Sequence, residues 1–183
     1  EDLIKHDASL SYRVLRCVNS AAFGVRRGVT SIRQALVLLG LDRVRKWACV
    51  WTMAGLNDGA NPELVTTAVL RARCCENVAT TLGGAEPSEF FLLGLCTLMD
   101  TMLGRPMDEA IADLPLPDAI RQALTGTANV QRAVLDAVLA YEQGDWHEAA
   151  RVGTVSGLDP NAISEAYGDA LKWARELSIL TAA

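Results

Sequence analysis

Apolar residues recur every three or four positions along most of this chain, which places them on one face of an α-helix. Ser31, with Gln34 three positions later, has the pattern of a capping box, so a helix is expected to begin there and to end at Gly40. We find no segment in which apolar and polar residues alternate as they do in a half-buried strand. By these signals, helices begin near residues 10, 31, 44, 62, 87, 118, 130, 145 and 160.

The sequence therefore predicts an all-α fold, a single-domain bundle of roughly nine or ten helices. The segment Phe90–Leu103 carries one charge, Asp100, so it is expected to form a single helix at the centre of the bundle. Leu114–Pro117 alternates leucine and proline and is expected to be a rigid joint. We expect residues 1–124 to form the core and residues 125–183 to form a helical extension packed on it as one structural unit.

The four tryptophans are expected to be core residues. Trp47 and Trp51 lie four positions apart on one helical face, and Trp146 and Trp173 lie in the C-terminal part. A large aromatic side chain at helical spacing more often contributes to a core than to a ligand site. Residues 141–150 resemble the turn of a tetratricopeptide repeat, but no second copy stands upstream, so they predict a helical hairpin packed on the core.

Half of the 183 residues are apolar and 21% are charged, a balance typical of a globular domain. The longest stretch without a charge, Trp47–Asn57, is shorter than the ~18 apolar residues of a membrane span. No basic segment followed by an apolar stretch opens the chain, so no secretory signal is predicted. We expect a cytoplasmic protein with no membrane partner. Because the chain enters a helical pattern soon after Glu1, a preceding segment is expected as well.

The cysteines show no spacing typical of metal ligands. Cys74 and Cys75 are adjacent, so on a helix they point about 100° apart and suit neither a zinc site nor a local disulfide. Reduced thiols, as in the cytoplasm, are expected, and no cofactor is predicted. The five cysteines are Cys17, Cys49, Cys74, Cys75 and Cys96.

Charge is distributed unevenly along the chain, whose net charge is −5. Residues 1–50 hold nine Lys and Arg against four Asp and Glu, a balance of +5, whereas residues 51–183 hold eight against eighteen, a balance of −10. This basic third is a candidate binding surface for an acidic protein face or a nucleotide. Nucleic acid is disfavoured because the sequence pI of about 5.0 is acidic. The alternative is an ordinary solvated face whose charges pair with the acidic part. The candidate surface residues are Arg13, Arg16, Arg26, Arg27, Arg43, Arg45 and Lys46.

Two ordered segments of the chain have a distinctive sequence: residues 7–21 read DASLSYRVLRCVNSA, and residues 30–40 read TSIRQALVLLG. These segments resemble the signatures of HDOD domains, the signalling offshoot of the HD phosphohydrolase superfamily. Within residues 91–100, which read FLLGLCTLMD, catalytic relatives carry a His-Asp metal-binding pair. The C-terminal extension is similar to that of HDOD domains found behind EAL-type cyclic-di-GMP phosphodiesterase domains. The resemblance implies a bacterial regulatory protein of several domains.

Met99 stands where these catalytic relatives have the metal-binding histidine, and only Asp100 of the pair remains. The chain has two histidines, His6 and His147, and both lie outside that segment. A metal-dependent hydrolase needs several ligands to hold a metal and activate water, so no catalytic or metal-binding residue is predicted. We interpret Met99 and Asp100 as a vestigial site in a protein that is not an enzyme.

The resemblance thus implies a non-catalytic signal-transduction domain. Its partner would be another protein or an attached signalling domain, and its output would be related to cyclic-di-GMP. Two alternatives stay open. One is a degenerate metal-dependent phosphohydrolase, for which Asp100 would be essential. The other is a nucleotide or nucleic-acid sensor that uses the basic third, and whose binding should weaken steeply with salt.

Overall fold

The fold is known from a computed structural model that describes residues 29–31, 33–34, 37, 40, 46, 49–50, 62–155, 157 and 161–181. Contacts divide the chain into two compact units, residues 1–59 with 175–183 and residues 60–174. The described residues are helical or lie in turns and loops, and none of them is in a strand. The predicted all-α fold is confirmed. The predicted division at residue 124 stays a prediction.

Eight helices lie within the described residues, where nine or ten were expected of the whole chain. They are α1 (Pro62–Thr80), α2 (Pro87–Cys96), α3 (Met99–Leu103), α4 (Met107–Ala110), α5 (Asp118–Leu124), α6 (Val130–Glu142), α7 (Trp146–Val155) and α8 (Ala162–Thr181). In the described part of the chain, no helix has the length and apolar character needed to cross a membrane.

The predicted capping box at Ser31 is present. The Ser31 hydroxyl accepts a hydrogen bond from the Gln34 backbone N–H at 3.2 Å. The Gln34 side chain reaches back one residue further than expected and accepts from the Thr30 backbone N–H at 2.9 Å. Gly40, the predicted end of this helix, has φ of 81°, a conformation that glycine adopts without strain.

The core of residues 60–174 is built on the crossing of α1 and α2. A Cβ atom added to Gly94 would lie 2.5 Å from backbone atoms of Ala72 and Arg71, so the two helix backbones touch at this point. Ala72 has no exposed surface, which shows that the crossing is closed to solvent. The largest side chains buried around this crossing and the adjoining helices are Phe90, Phe91, Leu93, Leu95, Ile111, Ile120, Ile163, Val78 and Val134.

The prediction of one continuous helix over Phe90–Leu103 is wrong, although most of the apolar residues of this segment are buried. The chain forms α2 and then, after a two-residue turn at Thr97 and Leu98, the short α3. The Thr97 hydroxyl donates to the Gly94 carbonyl at 2.8 Å, and the Thr97 backbone N–H donates to the same oxygen at 3.4 Å. This i−3 pattern tightens the last turn of α2 and ends the helix.

The predicted joint at Leu114–Pro117 is present between α4 and α5, and one arginine fixes it. Arg121 donates from Nη1 to the Ile111 carbonyl and from Nη2 to the Leu114 carbonyl, both at 2.9 Å. The Ile111 carbonyl also accepts from the Leu114 backbone N–H at 3.2 Å, and the Leu114 carbonyl accepts from the Leu116 backbone N–H at 2.8 Å, so each carbonyl accepts two hydrogen bonds. The four-residue α4 was not predicted, because a segment of that length shows no apolar period.

Beyond the joint, α6 and α7 form the predicted helical hairpin, and α6 packs against α1, α2 and α5. Asn129 caps α6 by accepting from the Arg132 backbone N–H at 2.7 Å. Asp145 caps α7 in the same way, accepting from the Glu148 backbone N–H at 3.0 Å. A capping side chain therefore fixes the start of each of these two helices.

Candidate functional site

Met99 and Asp100, which the sequence analysis interprets as a vestigial site, lie in the first turn of α3. Met99 is buried, with 3% of its surface exposed. Asp100 is half-buried, and its Oδ1 atom accepts from the Thr101 backbone N–H at 2.7 Å and from the Thr101 hydroxyl at 3.2 Å. A thioether is a soft ligand and a poor substitute for imidazole at a hydrolytic metal site. Among the described residues, no group of three or more His, Cys, Asp or Glu is placed to hold a metal ion.

Immediately before this turn lies a polar centre, by which we mean Arg71 of α1, Thr97 and Glu142 of α6. The Arg71 guanidinium donates to Glu142 Oε2 from Nε at 2.9 Å and from Nη2 at 2.7 Å. Its Nη1 atom lies 3.4 Å from the Thr97 hydroxyl oxygen. The polar centre thus connects α1 and α6 to the end of α2.

The polar centre is largely shielded from water, since the Arg71 and Glu142 side chains are 15% and 17% exposed. A charge in such a position needs its partner, because loss of one member leaves the other desolvated and unpaired. Sequence reasoning did not find this pair. Its members stand 71 positions apart, and neither belongs to a local motif.

Two thiols lie on α1 close to the polar centre. Burial, and secondarily the negative charge of Glu142, raises the pKa of Cys74 to about 12. Burial is also the main reason why the pKa of Cys75 lies well above its ordinary value. Both thiols are therefore protonated at neutral pH and are poor nucleophiles. Cys74 and Cys75 are free thiols. The reduced state expected for the five cysteines stays a prediction.

An aromatic cluster, formed by Tyr141, Trp146 and Tyr167, lies at the hairpin turn. The Tyr141 and Trp146 ring centroids are 4.6 Å apart with an interplanar angle of 75°, and those of Tyr141 and Tyr167 are 5.1 Å apart at 48°. Trp146 is 60% exposed, so the prediction that it is a core residue is wrong. Its position as the first residue of α7, directly after the turn, leaves most of the indole in solvent.

Trp173 differs from Trp146 because it is half-buried and already has a cation beside it. Its ring makes an edge contact with Phe91 at 6.2 Å, and the Arg73 guanidinium lies 5.5 Å from its centroid. Arg73 also pairs with the buried Glu76, from Nη1 to Oε2 at 2.6 Å. Arg73 Nε is buried without a hydrogen-bond partner.

A polar groove of about 530 Å³ lies between the end of α1 and the start of α8. The Asn77 side chain spans it and donates to the Ala166 carbonyl at 3.2 Å. Asp169, on its rim, is paired with Lys172 at 2.8 Å. The groove is lined by Asn77, Thr80, Thr81, Asn161, Ala162, Glu165, Ala166 and Asp169.

The predicted basic surface can be located at one residue. Lys46 is in helical backbone and is half-buried. The other candidates, Arg13, Arg16, Arg26, Arg27, Arg43 and Arg45, lie outside the described residues. The basic surface therefore stays a prediction from charge distribution.

Comparison with known proteins gives two relatives that match nearly the whole chain. Uncharacterized protein YuxH of Bacillus subtilis strain 168 is 31% identical over 179 residues, which cover 96% of this chain and 43% of that protein. Cyclic di-GMP phosphodiesterase CdgJ of Vibrio cholerae serotype O1 is 28% identical over 181 residues, which cover 98% of this chain and 42% of that protein. The chain thus spans less than half the length of these relatives.

The family comparison agrees with the resemblance of residues 7–21 and 30–40. No solved structure gives a significant match to the chain. The model of the HDOD domain family matches residues 1–102, more than half of the sequence, including the segments 7–21 and 30–40 and the vestigial turn. This chain belongs to the HDOD domain family.

Proposed function

We propose that this chain is a non-catalytic bacterial signal-transduction domain that docks on a neighbouring domain or a separate protein and thereby regulates a cyclic-di-GMP-related output. Membership of the HDOD family, and similarity to a protein named as a cyclic di-GMP phosphodiesterase, support a role in signalling. The proposal adds that the domain acts through binding and performs no chemistry of its own.

The proposal depends mainly on Met99, which is buried and which, by the family resemblance, stands where catalytic relatives have a histidine. Its neighbour Asp100 is held by Thr101 within the same turn. Just before them, the polar centre is satisfied internally, with Arg71 and Glu142 bonded to each other. A hydrolytic site requires ligands that converge on an open metal position, and these side chains are committed to other contacts.

The name of CdgJ is consistent with a regulatory domain that is attached to a catalytic one. More than half of CdgJ lies outside the region that this chain matches. We propose that hydrolysis of cyclic-di-GMP belongs to that other part, and that a domain such as this one controls it from outside the active site, in the manner of the EAL-linked arrangement that the sequence suggested.

Two assays on the purified chain test the proposal. In the first, the chain alone is incubated with cyclic-di-GMP and with a generic phosphodiester in the presence of Mn²⁺, Mg²⁺ or Fe²⁺, and bound metal is measured on the same sample. We expect neither turnover nor stoichiometric metal. Turnover that Asp100→Asn abolishes would instead establish the degenerate phosphohydrolase.

In the second assay, the chain is added to CdgJ from which the matching region has been deleted. We expect the rate of cyclic-di-GMP hydrolysis to change by about five-fold or more, which corresponds to the coupling free energy of an ordinary allosteric contact. Asp100→Asn is the matched control and should change the rate as the unmodified chain does. An unchanged rate, together with no binding in a pull-down, would contradict the docking proposal.

A further inference from the structure

The aromatic cluster at the hairpin turn leaves a large side chain in solvent. Large apolar side chains that are exposed among the described residues are Val37, Val130, Trp146 and Leu171, and Trp146 is the aromatic one of these four. Tyr141 and Tyr167 stand behind it, with ring centroids 4.6 Å and 5.1 Å apart along the cluster. An exposed indole braced by two further rings is preorganised for contact, and tryptophan is enriched among the residues that dominate binding energy.

The aromatic cluster belongs to an acidic part of the chain. Residues 60–174 hold sixteen Asp and Glu against seven Lys and Arg, a balance of −9. Asp145 is exposed directly before Trp146, and Glu142 directly follows Tyr141. The pKa of Tyr167 is raised first by burial and then by the charge of Glu142, and it is lowered to a smaller extent by Arg71, the partner of that carboxylate. The effect of Glu142 at the cluster is therefore only partly offset by Arg71.

We infer that the aromatic cluster is a docking point for an arginine side chain carried by a partner protein. Aromatic faces in a negative field attract cations, and a planar guanidinium also stacks on them, which an ammonium group does not. The same chain shows the geometry internally, because the Arg73 guanidinium lies 5.5 Å from the Trp173 ring. Trp146 presents a comparable ring to solvent, where a cation from outside has access.

This inference rests on the proposed function, because it names the chemistry of the partner that the domain docks on. Its test uses neither a phosphodiesterase nor a regulatory readout. If arginine does not bind to the aromatic cluster, the CdgJ assay still tests docking. If the chain has no effect on CdgJ, the arginine titration still tests the aromatic cluster.

The test is an NMR titration of the ¹⁵N-labelled chain, in which the Trp146 indole N–H resonance is assigned through Trp146→Phe. The probe is the peptide acetyl-Gly-Arg-Gly-Arg-Gly-amide, and its matched control carries citrulline, which is uncharged and of nearly the same shape, in place of arginine. We expect a saturable shift of the Trp146 resonance with the arginine peptide and none with the citrulline peptide. The Trp173 resonance should not move, since its ring is already occupied.

Two variants separate the contributions of the ring and the charge, with binding followed at the backbone amides of residues 143–148. Trp146→Leu keeps an apolar side chain but removes the π-face, and it should weaken the peptide by about two- to five-fold. Asp145→Asn removes a charge while an amide oxygen still caps α7, and it should weaken the peptide by about two-fold. Because Trp146 is 60% exposed, the leucine variant is expected to fold.

The inference would be overturned by equal shifts with both peptides, or by unchanged affinity in Trp146→Leu. Sedimentation of the chain alone tests whether a second copy of the chain, rather than a different protein, binds to the aromatic cluster. A dimer that Trp146→Leu dissociates would assign the aromatic cluster to self-association rather than to an arginine of a different protein.

Discussion

Gly94 shows how a single missing methyl group sets the position of two helices. A Cβ atom at this residue would lie 2.5 Å from the backbone of Ala72, a distance that real Cβ atoms essentially never show, and backbone cannot rotate out of the way as a side chain does. Residue choice here is dictated by packing rather than by backbone conformation. Gly168 in α8 offers a comparison, because an added Cβ would meet nothing within 4 Å.

We therefore predict opposite effects of alanine at the two glycines. Gly94→Ala should lower the free energy of unfolding by about 3 kcal/mol or more, because it overpacks the α1 and α2 crossing. Gly168→Ala should raise it by about 0.5–1 kcal/mol, through better helix propensity and a less free unfolded chain. Urea denaturation followed by circular dichroism measures both. Equal stability of the two variants would show that the helices separate at little cost and that the close contact is not essential.

The vestigial turn illustrates what a sequence reveals about single residues. The interpretation of Met99 and Asp100 depends on a resemblance to a family pattern and stays a prediction, and the structure adds their burial and contacts. Trp146 could not be assigned in the same way, because its apolar character is equally compatible with the core and the surface. Gly144, with φ of 78°, marks the turn that precedes α7, but it does not tell which side of Trp146 faces solvent.

At the scale of elements, local signals located most helix starts. Pro62, Pro87 and the capping side chain Asp145 each act within four residues of the helix that they begin, so their effect is readable in the sequence. The break between α2 and α3 was missed because apolar character continues through it. It arises from the Thr97 hydroxyl, which bonds the Gly94 carbonyl, and this choice of partner is not visible in a hydrophobic pattern.

The connection between elements that sequence reasoning missed altogether is the pair Arg71 and Glu142. We predict that Glu142→Ala or Arg71→Ala lowers the free energy of unfolding by about 2–4 kcal/mol, since each leaves a poorly hydrated charge without its partner. The double variant Arg71→Met with Glu142→Leu should recover much of that loss, because neither charge remains. Urea denaturation of the set gives the coupling energy as a double-mutant cycle.

The matched control for this pair lies on α7. Glu148 and Arg151 form an ion pair of similar length, with Nη2 to Oε1 at 2.6 Å, but their side chains are 42% and 59% exposed. Glu148→Ala is expected to cause little change in stability, because water replaces the lost partner. If Glu142→Ala lowered the free energy of unfolding as little as Glu148→Ala does, the polar centre would be hydrated in solution. It would then not stabilise the connection of α1, α2 and α6.

At the scale of the whole molecule, two regions of the sequence have opposite net charge. The helix pattern does not explain this difference. Residues 1–50 have a balance of +5 and residues 60–174 a balance of −9. A charge imbalance in sequence predicts the sign of the partner that a region attracts, since the field adds over many groups. It does not predict which of these arginines share one surface, because helix periodicity leaves the arrangement of helices open.

Arg13 and Arg16 lie in the basic third, within the first signature segment. If this region attracts an acidic face of the partner, Arg13→Ala with Arg16→Ala should weaken binding to truncated CdgJ and should make that binding less dependent on salt. The matched control is Arg105→Ala with Lys172→Ala, which removes the same charge from exposed positions in residues 60–174. Binding measured at several NaCl concentrations by calorimetry distinguishes the two variants.

The same variants decide between the docking surface and the nucleotide sensor. With cyclic-di-GMP or a short single-stranded oligonucleotide as ligand, we expect no binding to the unmodified chain at physiological salt. A phosphate ligand held by the basic third would instead bind with an affinity that falls steeply as NaCl rises, and Arg13→Ala with Arg16→Ala would reduce that slope. Such a result would indicate that residues 1–50 bind a ligand rather than a partner protein. The buried Met99 would still argue against hydrolysis in the same domain.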